Sequence, residues 1–178
     1  MKKVLIIVSS PRENGNSDRL CRQFAKGAEE TGNKVETIYL RDKKINFCKG
    51  CSVCRTTHRC VQDDDMAEIL DKVVKADVIV LSTPVYFYIM NGQMKTFIDR
   101  CLPRYEEISN KEFYFICTSV DQDRAVIEKT LSGLRDFTDD CLDNCIERGV
   151  ICGIDTAVKG AIEDTPAYER AYEIAKNI

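Results

Sequence analysis

The chain has 178 residues, enough for one domain with a full core and short for two. Hydrophobic residues at 44% and charged residues at 31% are ordinary for a globular protein, and no apolar run approaches the roughly 18 residues that a membrane helix needs. The formal net charge of −3, with no basic stripe interleaved with aromatics, gives no attraction to phosphate backbones or anionic lipid, so neither nucleic acid nor a membrane is expected as a partner.

The opening MKKVLII couples two lysines to an apolar run but lacks the length and small-residue cleavage site of an export signal, which places the chain in the cytoplasm. Ten cysteines are many for such a chain. In a reducing compartment a tight cluster of them reads as metal-binding or redox-active rather than as disulfides.

The first strand, KVLIIVS (3–9), stops in a loop of small polar residues, SSPRENGNS (9–17). Ser17 is expected to cap a helix whose Leu20, Cys21, Phe24 and Ala28 share one face. A second strand, KVETIYL (34–40), leads into a cysteine-rich loop at 47–61 that carries Cys48, Cys51, Cys54 and Cys60. The acidic run QDDD (62–65) then places carboxylates at the positive end of a helix marked by Met66, Ile69, Leu70, Val73 and Val74, with Asp65 and Glu68 as a capping box.

A third strand, DVIVLSTP (77–84), runs into TPVYFYIMNGQMKTFIDR (83–100). Here Tyr86, Phe87, Tyr88 and Met90 are expected in a loop before Asn91 and Gly92 open a helix through Met94, Phe97, Ile98 and Cys101. A fourth strand, EFYFICTSV (112–120), overlaps a polar loop TSVDQD (118–123), and a long helix follows through Leu131, Leu134, Phe137, Cys141 and Cys145. After a fifth strand, GVICGID (149–155), Thr165 and Pro166 form an N-cap and first-turn pair for a last helix through Tyr168, Ala171, Tyr172 and Ala175.

Five strands alternating with five helices predict an α/β domain in which a parallel sheet is covered on both faces, because right-handed crossovers lay helices over the sheet. The length suits a single doubly wound domain, 1–178, with the five-stranded order 2-1-3-4-5 and a ligand crevice where the order reverses beside the first strand.

At that switch point the carboxyl end of strand one meets a helix N-terminus, whose free N–H groups and dipole favour an anion. Ser9, Ser10, Asn16 and Ser17 supply short hydrogen-bonding side chains there, Gly15 lets the backbone turn, and Arg12 can add a charge-assisted bond to phosphate. The loop has neither the G-x-x-x-x-G-K-[ST] of triphosphatases nor the G-x-G-x-x-G of dinucleotide folds. The aromatic run at 86–88 lies on the same edge of the sheet, where rings are free to stack on a planar ligand. A phosphate site beside an aromatic loop predicts flavin mononucleotide (FMN).

The cysteine spacing C-x2-C-x2-C-x5-C is dense. Zinc sites pair cysteines into two separated knuckles, whereas three cysteines at successive two-residue gaps let one loop wrap three corners of a cubane, so iron and sulfur fit better. Lys49, Arg55 and Arg59 can offset the charge of a thiolate-ligated cluster, and Val61 follows the last cysteine where a bacterial ferredoxin run has proline. Cys21, Cys101, Cys117, Cys141, Cys145 and Cys152 read as small core residues. His58, the sole histidine, has no evident orienting partner and reads as solvated.

The SSPRENGNS loop and the TPVYFYIMNGQMKTFIDR segment together resemble the flavodoxin-like NAD(P)H-dependent FMN reductase family over nearly the whole chain, and the cysteine loop resembles the iron–sulfur flavoprotein branch of that family. The resemblance implies that Ser10, Arg12, Asn16 and Ser17 hold the FMN phosphate. Pro84, Val85, Tyr86, Phe87 and Met90 would lie along the isoalloxazine and ribityl chain, and Ser119 and Asp121 would border the ring. It also implies a [4Fe–4S] cluster on Cys48, Cys51, Cys54 and Cys60 that exchanges electrons with FMN, and a homodimer or homotetramer with the flavin near a subunit boundary. The expected activity is hydride transfer from NAD(P)H to the flavin, followed by electron transfer to a second acceptor; no catalytic side chain is required, because the cofactor carries the chemistry. Two alternatives stay open on the sequence alone. One is an electron carrier that exchanges electrons with ferredoxin-type partners, and the other is a flavin-free, zinc-binding interaction module.

Overall fold

Residues along the central strands alternate between two cores, as a sheet buried on both faces requires. In β1 (Lys3–Val8), Val4, Ile6 and Val8 enter one core while Leu5 and Ile7 enter the other. In β5 (Glu112–Thr118), Phe113, Phe115 and Cys117 join the Leu5 side, and Tyr114 and Ile116 the Val4 side. The computed structural model describes all 178 residues, Met1–Ile178.

The remaining strands are β2 (Lys34–Tyr39), β3 (Val78–Tyr86), β4 (Ile89–Met90) and β6 (Ile146–Gly153). The helices are α1 (Asn16–Glu30), the single turn α2 (Cys54–Thr57), α3 (Met66–Lys75), α4 (Gly92–Asp99), α5 (Arg124–Thr138) and α6 (Pro166–Ala175). The parallel strands run β2-β1-β3-β5-β6, which is the expected 2-1-3-4-5 order with its switch point beside β1. The one difference is β4, a two-residue antiparallel strand that pairs with the end of β3 through Val85↔Met90 and Tyr86↔Ile89. Helices α1 and α6 cover the Val4 face, and α3, α4 and α5 cover the other. No helix is long and apolar enough to cross a membrane.

Several boundaries differ from expectation for local reasons. Gly15, not Ser17, stands at the N-cap of α1, and the Ser17 hydroxyl instead bonds Thr118 Oγ1 at 2.8 Å. A side chain at Gly15 would place its Cβ 3.1 Å from the Arg12 carbonyl, a close approach that the loop would have to yield to by a few tenths of an ångström. Asp65 makes no cap bond; Asp64 accepts from the Met66 N–H instead, at 3.2 Å. Helix α5 ends at Thr138, where Asp139 and Asp140 put negative charge at the negative end of its dipole. Cys141 and Cys145 therefore lie in the connection to β6, the first exposed and the second half-buried, rather than on a helix face in the core.

Helices α1 and α6 approach closely at Gly27, where an added Cβ would stand 2.3 Å from the Tyr172 carbonyl oxygen. The neighbour is backbone and has no rotamer to yield. Gly27→Ala is therefore expected to lower stability by about 1–3 kcal/mol, the overpacking cost outweighing the helix preference for alanine. Urea unfolding measures it; a midpoint equal to or above that of the parent protein contradicts the close approach.

Candidate functional site

The carboxyl ends of β1, β3 and β5 open into a cleft of about 250 Å³. Its walls bring together nine of the expected cofactor residues: Ser10, Arg12, Asn16, Ser17, Pro84, Val85, Tyr86, Phe87 and Ser119. Gly15, Thr118, Val120 and Thr156 also line it. Met90 and Asp121 do not.

One end of the cleft is built for an anion. The backbone amides of Asn16, Ser17 and Asp18, in the first turn of α1, have no acceptor in the protein. The exposed Arg12 guanidinium has no hydrogen-bond or ion-pair partner, and the Arg12 amide is fixed by Ser10 Oγ at 3.3 Å. Asp18 would oppose an anion at this turn, but its buried carboxylate accepts from the Asn14 amide at 3.0 Å and pairs with Arg41 at 2.9 Å. That pair cancels the local negative charge while leaving the helix amides free.

The Asn16 side chain is already engaged. Its Nδ2 donates to the Thr156 carbonyl at 2.8 Å and the Val158 carbonyl at 3.0 Å, and its Oδ1 accepts from the Gly160 amide at 2.9 Å. Asn16 thus offers a ligand its backbone amide, while its side chain anchors the segment after β6.

At the other end, β3 and β4 form a hairpin instead of the expected loop. Its two turn residues, Phe87 and Tyr88, have φ of 50° and 72°, left-handed backbone that a primed turn demands and that asparagine or glycine adopts more easily. Such conformations cost about 1–3 kcal/mol each and persist where surroundings hold them. The holding groups are Thr130 Oγ1, which donates to the Tyr88 carbonyl at 3.4 Å, and Lys129, whose Nζ lies 4.8 Å from the Tyr88 ring centroid. Phe87 is left 98% exposed at the mouth of the cleft. Met90, expected along the ligand, is buried in the core, and its Cε would lie 3.1 Å from a Cβ at Gly133 of α5. The strand pairing turns it away from the aromatic edge.

The third loop is stiffened from within. Ser119 Oγ accepts from the Asp121 amide at 3.0 Å, and Asp121 Oδ1 accepts from the Asp123 amide at 2.8 Å. Those side chains shape the turn, which explains why Asp121 stands outside the cleft lining.

Asn91 joins the two main loops. Its buried side chain donates from Nδ2 to the Ser9 carbonyl at 2.7 Å and accepts at Oδ1 from the Met94 amide at 3.1 Å, and its own amide donates to Thr83 Oγ1 at 3.1 Å. One residue thereby caps α4, fixes the end of β1 and fixes the end of β3.

The cysteine loop lies between β2 and α3. Left-handed backbone at Gly50, Ser52 and His58 folds it back on itself, with φ of 63°, 59° and 52°. Its four cysteines are free thiols, and two already accept backbone hydrogen bonds: Gly50 N–H to Cys48 Sγ at 3.4 Å and Gln62 N–H to Cys60 Sγ at 3.5 Å. Burial first, then the neighbouring Cys60, Cys51 and Cys48, push the Cys54 thiol up. The sulfurs are not gathered at metal-ligand spacing. The donor chemistry nonetheless suits an iron–sulfur cluster: four thiols, with backbone N–H groups directed at sulfur.

A buried ion pair, absent from the sequence reading, supports this loop. Arg100, 2% exposed, donates from Nη1 and Nη2 to the two Asp64 oxygens at 2.7 and 2.9 Å, from Nη1 to the Asn46 carbonyl at 2.6 Å, and from Nη2 to Cys60 Sγ at 3.5 Å. Burial opposes ionisation of Asp64, but the Arg100, Asn46 and Met66 donors outweigh it and hold the carboxyl down at about 2. Sequence gave one faint signal, three consecutive aspartates of which only one is needed at a helix start.

A family model described as NADPH-dependent FMN reductase matches residues 2–134. An iron–sulfur flavoprotein of Archaeoglobus fulgidus is 43% identical over 101 residues, which are 57% of this chain and 46% of that protein. An iron–sulfur flavoprotein of Methanosarcina thermophila is 30% identical over 183 aligned positions, covering 99% of this chain and 93% of that protein. The chain spans about half the length of the Archaeoglobus relative and of several others of the same name. Among solved structures, an azoreductase from Bacillus anthracis superposes with a TM-score of 0.76 at 16% identity and covers 100% of both chains, a likeness of fold.

Two outcomes check this geometry. Asn91→Ala removes a helix cap and leaves the buried Ser9 carbonyl without its donor, so it is expected to cost about 2 kcal/mol or more in unfolding free energy; a cost within experimental error contradicts the bridging role. Burial pushes the Cys21 thiol up to about 12 and raises those of Cys101 and Cys117 as well. In the folded, iron-free protein at mildly alkaline pH, iodoacetamide should modify Cys48, Cys51 and Cys141 and spare these three until the chain is unfolded, as read by mass spectrometry.

Proposed function

The chain belongs to the NADPH-dependent FMN reductase family, and from that premise we propose that it is an FMN-dependent oxidoreductase, a single FMN-binding domain that takes reducing equivalents from NAD(P)H and passes them to a second acceptor. The observation that carries the reading is the cleft itself: three unpaired helix amides and an unpaired arginine at one end, and an exposed aromatic hairpin at the other. FMN has this polarity, a dianionic phosphate joined to a planar ring.

In this reading the amides of Asn16, Ser17 and Asp18, with Ser10 and Arg12, hold the phosphate, and the backbone and side chains of Pro84, Val85, Tyr86 and Phe87 hold the ring and ribityl chain, with Ser119 beside them. Asn16 and Asp121 act by shaping the neighbouring loops, and Met90 by anchoring the hairpin in the core. FMN held there would supply the hydride- and electron-accepting chemistry, so the protein's part is position and environment rather than an acid or base.

Cys48, Cys51, Cys54 and Cys60 hold a [4Fe–4S] cluster in the same proposal, supported by the name of the relatives and by the four free thiols. The cluster would relay single electrons between the flavin and the acceptor. Assembly as a homodimer or homotetramer is supported by the apolar rim of Phe87, Tyr88 and Ile89, which lies exposed beside the cleft. A reducing, cytoplasmic setting suits ten free cysteines.

Cofactor released from the purified protein should co-migrate with FMN, and Arg12→Ala should weaken FMN retention roughly tenfold to a hundredfold, the loss expected for a charged hydrogen-bond partner of phosphate. Recovery of FAD or of no flavin contradicts the reading. Anaerobic mixing with NADH or NADPH should bleach the bound flavin. A flavin that stays oxidised with both nucleotides, yet is bleached by reduced ferredoxin, makes the chain an electron carrier instead. Protein prepared without oxygen should hold about four irons and four sulfides per chain, and replacing any one of the four cysteines should lower the iron content.

A further inference from the structure

Arg100 makes a pattern of contacts that a purely structural ion pair does not need. Of its five N–H donors, two meet the Asp64 carboxylate, one the Asn46 carbonyl and one Cys60 Sγ, while Nε is buried without an acceptor. The side chain is 2% exposed and that of Asp64 is fully buried. A guanidinium taken out of water keeps its fork geometry because each branch is fixed by a partner, and here one branch is fixed on a cysteine sulfur.

We propose that Arg100 is a positioning residue for Cys60 and raises the reduction potential of the cluster held on the cysteine loop. The inference rests on the reading of Cys48, Cys51, Cys54 and Cys60 as cluster ligands. A cluster held on these cysteines would, on taking one electron from the flavin or a chemical reductant, place added negative charge on its ligating sulfurs. An N–H directed at one of those sulfurs stabilises the reduced form more than the oxidised one. Asp64 neutralises the guanidinium at long range, so the effect left at Cys60 is the short-range dipole of Nη2–H, strengthened by the low dielectric of a buried site. Exposed cations of the loop, such as Arg59, act through water and contribute little by comparison.

The arrangement also fixes where Cys60 stands. Arg100 is the C-cap of α4, whose N-cap Asn91 is bonded to the ends of β1 and β3, so the sulfur is referred to the flavin cleft through one short helix. Arg100→Lys keeps a cation for Asp64 but cannot serve the carboxylate and the sulfur together. Arg100→Gln keeps a donor and loses the charge.

The test is an anaerobic redox titration of the iron-loaded protein, followed by electron paramagnetic resonance, with iron content and far-UV circular dichroism recorded for each variant. For Arg100→Lys and Arg100→Gln that remain folded and bind iron, the cluster potential is expected to shift to more negative values, and Arg59→Gln is expected to leave it in place. Arg100 variants with the parent potential, or an equal shift in Arg59→Gln, overturn the inference while leaving the cluster reading intact. A merely structural Arg100 would lower iron content and thermal stability but not the potential of the loaded, folded fraction. Parent protein that binds no iron overturns both, and the iron analysis shows that the cluster reading was the one at fault. If Arg100→Gln does not fold, Arg100→Lys decides alone.

Discussion

The buried side chain of Asn91 is the constraint on which the cleft depends. A planar ligand with a charged end requires two loops, from different strands, to be held at a fixed separation. Loops on a sheet edge have few backbone partners of their own. Asn91 supplies them: the Ser9 carbonyl at the end of β1, the Thr83 hydroxyl at the end of β3, and the first turn of α4 are all satisfied by one amide side chain and its backbone N–H. Because the group is buried, each of these bonds carries the cost of leaving its partner unsatisfied, and the geometry is correspondingly sharp.

From that point the site extends in two directions. Toward the anion end, the Asp18–Arg41 pair removes a charge that would repel phosphate and leaves three amides free. Toward the cysteine loop, α4 carries the constraint for eight residues, about 12 Å at the helical rise, to Arg100. There the buried pair with Asp64 takes over. Removing one partner of such a pair would strand a charge, at a cost of about 3–5 kcal/mol, whereas the net gain from the intact pair is small. Its value is therefore in holding one geometry, the turn that puts Cys60 against the guanidinium. The cleft and the cysteine loop are two ends of one mechanically continuous segment, Thr83 to Arg100.

How much of this was legible in the sequence follows from the range of each interaction. The alternation of apolar strands and amphipathic helices is local, and it predicted the doubly wound sheet and its order. The cysteine spacing and the polar loop before α1 are local too, and they pointed to the family that the chain belongs to. What stayed hidden depends on contacts between distant residues. Nothing near Asn16 announces that its side chain is spent on carbonyls at Thr156 and Val158, and nothing near Asp64 announces a guanidinium 36 positions away. The hairpin at 86–90 was missed because Phe87 and Tyr88 are poor residues for left-handed backbone, so the turn chemistry argued against the turn that forms. With the hairpin went Met90, since pairing with Val85 sets which way it points. Helix α5 is shorter than expected: Cys141 and Cys145 continue its apolar spacing, although the helix itself stops at Thr138, before Asp139 and Asp140.

In the proposed function, FMN occupies the cleft between the first loop and the aromatic hairpin, with its phosphate at α1. The most direct measurement is a crystal structure of the protein grown and purified without oxygen and carrying whatever cofactor it retains. The account predicts flavin density in this cleft, with the phosphate bonded to the amides of Asn16, Ser17 and Asp18 and to Arg12, and the ring beside Tyr86 and Phe87. A flavin bound elsewhere, or a phosphate that leaves those three amides without an acceptor, would contradict it.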